Sequence, residues 1–132
     1  MNYNDAHSIE TYKSLIAIGQ FALRFVLLIN GGAAIAVLAF VGDLAASVGM
    51  PDVGMALTWY VLGIAIGGIA MGTSYLTQLV LFNDARAEES PRFFKKHQPW
   101  LTVSFLLFVL SIVAFALGSF SAVASYEALF LY

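Results

Sequence analysis

An all-α integral membrane protein, a bundle of three transmembrane helices with the N-terminus inside and the C-terminus outside, is the fold class the sequence predicts. Three observations predict it. Of the 132 residues, 61% are hydrophobic and 11% charged, and mean hydropathy is +0.86, whereas a soluble domain is about 45–50% apolar and about 25% charged. So little polar surface cannot cover a water-facing globule of this size, and lipid must cover part of it. Three apolar stretches, residues 21–41, 56–82 and 100–126, each meet the need for about 20 residues to cross ~30 Å of hydrocarbon. All six Lys and Arg residues fall on one side of the resulting alternating topology, the pattern of the positive-inside rule.

Taken in chain order, the leader MNYNDAHSIETYK is mixed in charge, and the apolar run behind it exceeds the about 7–15 residues of a signal-peptide core. A retained span is therefore expected. Ser8, Glu10 and Thr11 offer caps, and Ile9, Tyr12, Ile16 and Gly19 recur at helical spacing. This predicts a helix ahead of the first span, either a short interfacial element or a continuation of the span. The spans FALRFVLLINGGAAIAVLAFV, ALTWYVLGIAIGGIAMGTSYLTQLVLF and WLTVSFLLFVLSIVAFALGSFSAVASY must satisfy their backbone groups internally, and three strands cannot close a barrel, so all three are helices. The second and third exceed the minimum length and are expected to tilt or to emerge from the bilayer. Pro51 and three glycines mark the outer loop as a turn, and its LAASVGM segment suits the interface. The inner loop, residues 83–99, contains Pro91 and Pro99, and Phe93, Phe94, Lys95 and Lys96 read as an interfacial anchor. One domain covers residues 1–132.

Orientation follows from the bases. Lys13 and Arg24 precede or begin the first span, and Arg86, Arg92, Lys95 and Lys96 lie between the second and third. The outer loop carries only acids, Asp43 and Asp52, and Glu127 follows the third span. Trp59, Tyr60, Phe82, Trp100, Tyr126 and Tyr132 fall near the predicted interfaces, where aromatic belts form. The expected location is a bacterial inner membrane.

Several groups inside the spans have chemistry to offer. Ser104, Ser111, Gly118 and Ser125 recur every seven residues in the third span, with Leu107, Ala114 and Ser121 between them. Such a narrow, weakly polar face either lines a water-filled path in a ring of helices or lets backbones approach closely; packing is the favoured expectation. In the second span, Gly63, Gly67, Gly68 and Gly72 form two GxxxG pairs on adjacent faces. These suggest contacts with two neighbours, and hence self-association. Asn30, before Gly31 and Gly32 near the middle of the first span, either makes an interhelical hydrogen bond or marks a broken helix of the kind transporters use; the hydrogen bond is the favoured expectation. Arg24 and Gln20 lie at the same depth as Thr73, Ser74, Thr77 and Gln78 of the second span. An ionisable group in a membrane is a functional candidate by default, although Arg24 is close enough to the bilayer edge to snorkel. Asp43 and Asp52 would form an acidic outer mouth in a ring, and are otherwise loop residues.

No catalytic constellation or phosphate-cradling loop is present. The GIAIGGIAMG run lies inside a span and cannot cradle a nucleotide, so an enzyme is not expected. His7 and His97 lie outside the spans and have no second ligand at helical spacing. No cofactor is expected, and the net charge of −2 argues against a nucleic-acid partner. The expected partners are the lipid bilayer, further copies of the chain, or a larger membrane protein. Two functional classes remain open: a homo-oligomeric, pore- or channel-like protein, and a non-conducting structural or accessory subunit.

The chain has no cysteine, so single-cysteine variants can be labelled without background. In intact cells Glu127→Cys is expected to react with a membrane-impermeant maleimide, and Lys13→Cys only after permeabilisation. The opposite pattern means the topology is inverted.

Overall fold

A computed structural model describes residues 3–44, 52–86 and 97–128, with side chains over 10–43, 52–81 and 99–128. The elements are α1 (Tyr3–Leu44), α2 (Gly54–Arg86) and α3 (His97–Ala128), with no strand among the described residues. Each helix holds a segment long and apolar enough to cross a membrane: Glu10–Asp43, Gly54–Leu81 and Pro99–Ala128. The chain is an all-helical, three-span membrane protein.

The N-terminal segment and the first span are one helix. Ser8 does not cap a separate element but lies within α1. From Leu15 to Gln20 there is no proline or turn cluster to stop the ladder of hydrogen bonds, so it propagates. Nor do Gly31 and Gly32 interrupt it. Glycine costs about 1 kcal/mol relative to alanine within a helix, whereas a break in hydrocarbon leaves backbone groups that cost several kcal/mol each.

α2 starts at the turn the sequence marks. The Val53 carbonyl accepts from the Leu57 N–H at 3.0 Å, and the Asp52 carboxylate accepts from the Gly54 N–H at 3.1 Å. Asp52 thereby satisfies one of the amides left unpaired in a first helical turn. At the other end α2 continues to Arg86 and α3 begins at His97, so the connection expected over 83–99 shortens to 87–96. Pro99 falls in the first turn of α3, where its missing N–H costs no helical hydrogen bond. Most of LAASVGM, Pro51, Pro91, the Phe93–Lys96 anchor, Arg92, Tyr132 and the side chains of His7, Phe82, Arg86 and His97 lie outside the described residues.

α2 and α3 form a closely packed antiparallel hairpin. α1 lies chiefly against α2 and meets α3 over a short stretch. The interior is small and partly polar: Val26, Ala56, Ala70, Ala114, Asn30, Thr77, Ser104 and Ser111 are all buried. The bulk faces outward. Phe21, Leu28 and Phe120 are 72%, 72% and 75% exposed, while Asn30 and Ser111 are 0% exposed. This inversion suits a solvent as apolar as leucine, in which close backbone approach and interhelical hydrogen bonds hold helices together and burial of large side chains adds little.

Tyr60 belongs to this interior, not to an aromatic belt. It is 3% exposed, and its ring lies over Gly118, where a Cβ would come within 2.7 Å of a ring carbon. Phe115 flanks it with ring centroids 6.1 Å apart. Gly118→Ala is therefore expected to destabilise the α2–α3 hairpin by about 1–3 kcal/mol, measured as the shift in SDS-induced unfolding in mixed micelles. Gly72→Ala, with open space around its Cβ position, is expected to leave that folding midpoint within about 0.5 kcal/mol of wild type.

Candidate functional site

The three helices meet at one polar node. Asn30 of α1 is fully buried. Its Nδ2 donates to the Val26 carbonyl one turn back at 2.9 Å and across to α3, to the Ser111 Oγ at 3.3 Å and the Ser111 carbonyl at 3.4 Å. Two hydrogens serve three acceptors, so the bond to Ser111 is shared between its two oxygens. The Ser111 hydroxyl in turn donates to the Gly63 carbonyl of α2 at 2.8 Å. Gly63 is glycine for a steric reason, because a Cβ there would collide with the Asn30 carboxamide. The Asn30 Oδ1 is the buried side-chain polar atom left without a hydrogen bond among the described residues. It rests against the Gly63 backbone, where only the weak contact of a Cα–H is on offer.

Along α3 the seven-residue stripe is a ladder of bonds to α2. Ser104 and Thr73 lie 2.7 Å apart. Thr73 donates to the Ala70 carbonyl at 2.9 Å, and each hydroxyl has one hydrogen, so the Ser104 hydroxyl donates to Thr73 or to Ala70 at 3.3 Å. Ser119 donates to Phe115 at 2.9 Å, which leaves the Tyr60 hydroxyl as donor to Ser119 at 3.2 Å. The Ser125 hydroxyl, with one hydrogen, donates to the Asp52 carbonyl at 2.7 Å or to the Ser121 carbonyl one turn back at 2.9 Å. Ser104, Ser111 and Gly118 are buried within the protomer and Ser125 is half-buried. From Gly54 to Thr73 the axis of α2 covers about 29 Å at ~1.5 Å per residue, close to one hydrocarbon thickness.

The two glycine pairs of α2 have different surroundings. Gly63 and Gly67 are buried, and a Cβ on Gly67 would lie 3.1 Å from Leu27, 3.3 Å from Ser111 and 3.4 Å from Val26. This pair is the seat for α1 and α3. Gly68 and Gly72 are exposed, with nothing within 4 Å of a Cβ position. Asp43 and Asp52 are exposed at the same end of the bundle, and Asp52 is engaged in starting α2.

At the opposite end α1 parts from the hairpin. Of the groups that the sequence placed at one depth, Gln20, Arg24, Ser74, Thr77 and Gln78 line one half-open crevice of about 730 Å³, whereas Thr73 pairs with Ser104 of α3. Arg24 and Gln20 are exposed, Ser74 and Gln78 half-buried, and Thr77 is buried with its hydroxyl donating to Thr73 at 3.0 Å. Tyr12 and Tyr75, which the sequence did not single out for this site, also line it. Their spacing from Ile16 and Gln78 was a visible signal, but which face α1 turns toward α2 was not. Among the described residues no three His, Asp or Glu side chains gather in one place.

The architecture and this interior define a multi-pass helical membrane protein. Comparison with protein families, curated proteins and solved structures finds no match to the chain, so the functional argument rests on geometry.

The node makes a test possible. Gly63→Ala is expected to lower stability by about 1–3 kcal/mol through overpacking against Asn30. In an Asn30→Ala background the same change is expected to cost much less, because the colliding carboxamide is gone. Ser111→Ala alone should cost about 0.6 kcal/mol and at most about 1.7 kcal/mol, the average and the upper end for interhelical hydrogen bonds in membranes. SDS-unfolding free energies of the single and double variants check both; purely additive costs for Gly63→Ala and Asn30→Ala would mean the two residues are not in contact.

Proposed function

We propose that this chain is a small, non-catalytic membrane protein that works as a homo-oligomer assembled through the outer face of α2. The proposal places its N-terminus and the α2–α3 connection on the cytoplasmic side of a bacterial inner membrane, as the six bases on one side favour.

One observation carries the reading. Gly68 and Gly72, with Ala65 one turn before them, form an exposed small-residue seam, and the two glycines touch nothing within the protomer. The lipid-facing side of α3 is built instead from Phe105, Leu106, Val109, Leu110, Val113 and Leu117. Glycine weakens a helix by about 1 kcal/mol relative to alanine, and lipid makes no use of the space it leaves. A neighbouring helix does, because small-xxx-small faces let backbones come into contact. A second copy fits this seam directly. A twofold axis along the membrane normal brings two α2 helices together at the same depth and in the same direction, so Gly68 and Gly72 meet their counterparts.

Conduction along the α3 stripe gains no support from the geometry. The hydroxyls of Ser104 and Ser111 are turned into the protomer and bonded there, and a residue at 0% exposure such as Ser111 does not face water. The accessory-subunit reading uses the same α2 face with a different occupant.

The native mass of the detergent-extracted protein tests the proposal. Wild type is expected as a closed oligomer, and Gly68→Ile or Gly72→Leu as a monomer of unchanged helix content. Leu117→Ala on the outer face of α3 should keep the wild-type mass. A wild-type monomer, or co-purification with a larger protein, would sink self-association and assign the α2 seam to another partner.

A further inference from the structure

The crevice at the Arg24 end has a chemistry of its own. Its polar lining is rich in donors: the Arg24 guanidinium, the amides of Gln20 and Gln78, and the hydroxyls of Ser74 and Tyr75. Among the described residues no Asp or Glu lines it. Between Glu10 and Asp43 in α1, between Asp52 and Asp84 in α2, and from His97 to Tyr126 in α3, the chain has no acid at all. Among the described residues Arg24 has no ion-pair or hydrogen-bond partner. An uncompensated cation at the membrane boundary, among neutral donors and without a carboxylate, is arranged to receive an anion.

The surroundings specify what carries that anion. Leu15, Ile16 and Leu23 of α1, Met71 and Leu81 of α2 and Leu101 of α3 supply apolar walls to the same crevice. The site thus joins a cation and neutral donors to apolar walls facing one opening. Its volume of about 730 Å³ lies in the range of about 300–1,000 Å³ usual for small-molecule sites. We infer that the crevice between α1 and the α2–α3 hairpin is a binding site for an anionic phospholipid. Its phosphate is held by Arg24 with Gln20, Ser74 and Gln78, and an acyl chain lies against Leu23, Met71 and Leu101. Under the proposed orientation this is the cytoplasmic leaflet. Tyr75 falls seven residues from Gly68 and borders the seam, but the charge that the test removes, Arg24, is on α1, so lipid retention is read separately from oligomeric state.

The test uses the full chain reconstituted in vesicles of equal phosphatidylglycerol and phosphatidylcholine, extracted mildly and examined by native mass spectrometry. Wild type is expected to retain phosphatidylglycerol about fivefold over phosphatidylcholine, the scale of one basic residue at a membrane surface. Arg24→Gln should abolish the preference. Arg24→Lys, which keeps the charge, should keep most of it. Lys13→Gln removes the same charge from a residue that does not line the crevice, and should change nothing. Equal retention of both lipids by wild type overturns the inference without recourse to any variant. So does a loss in Lys13→Gln equal to that in Arg24→Gln, which would show diffuse attraction only. Displacement of the retained lipid by millimolar glycerol phosphate would overturn it too, by showing a site for a free phosphate and not for a lipid.

Discussion

Inside hydrocarbon a polar group has no water to fall back on, and the Asn30 carboxamide is where this constraint shapes the bundle. Once an asparagine sits fully buried near the middle of α1, its amide hydrogens need acceptors on a neighbouring helix. Ser111 supplies them from α3 and passes its own hydrogen to the Gly63 carbonyl of α2. One set of hydrogen bonds therefore fixes the relative height of all three helices. It also dictates a residue that makes no hydrogen bond through a side chain: α2 must be glycine at 63, because the carboxamide occupies the volume a methyl group would take. Each such bond is worth less than ~1 kcal/mol on average, so the node sets register more than it supplies stability.

From that register the rest of the interior follows. With Ser111 opposite Gly63, the seven-residue repeat of α3 brings Ser104 to Thr73, Gly118 to Tyr60 and Ser125 to Asp52. The hairpin is pinned at four levels along one membrane thickness, whereas α1 is held to α3 at the node and, nearer the Asp43 end, by the Phe40–Tyr126 ring contact at 5.6 Å. α1 packs chiefly on α2, and between the node and its N-terminal end it carries Leu15, Gln20 and Arg24 where a close-packed helix would carry small residues. That imbalance opens the crevice. The same logic separates the two glycine pairs: Gly63 and Gly67 are used up in seating α1 and α3, and Gly68 and Gly72, about 140° further round the helix, are left over.

The class of fold was readable because span length and hydropathy answer to the bilayer alone. The residues of the interior were also legible as types: Asn30, the serine stripe and the glycines stood out as the small or polar minority in apolar helices. What one sequence could not say was which way each face turned. The stripe of α3 is equally suited to water and to a partner helix until the position of α2 is known, and GIAIGGIAMG does not disclose which of its two GxxxG pairs is internal. The two ambiguous boundaries have a similar cause. Residues 8–20 carry cap-like side chains, but a helix already nucleated in the membrane extends past such signals at little cost. Pro99 signals a loop and a first helical turn equally well.

Arg24 is the residue for which position and energetics have to be reconciled. It lies six residues, about 9 Å along the axis, from Asn30, deeper than a residue at the edge of the bilayer and within reach of it by extension of the side chain. A guanidinium alone at that depth is costly, by about 2.5–3.5 kcal/mol on insertion scales even at the centre of a helix that can adapt. Among the described residues no acid lines the crevice to offset this. The crevice does so in two ways. Its open side lets water and headgroups reach Arg24, and its amides and hydroxyls give an incoming anion further donors, so the charge remains solvated without a protein counter-ion. A helix held closely along its whole length would have closed that route, which ties the loose attachment of α1 below the node to the presence of Arg24 on it.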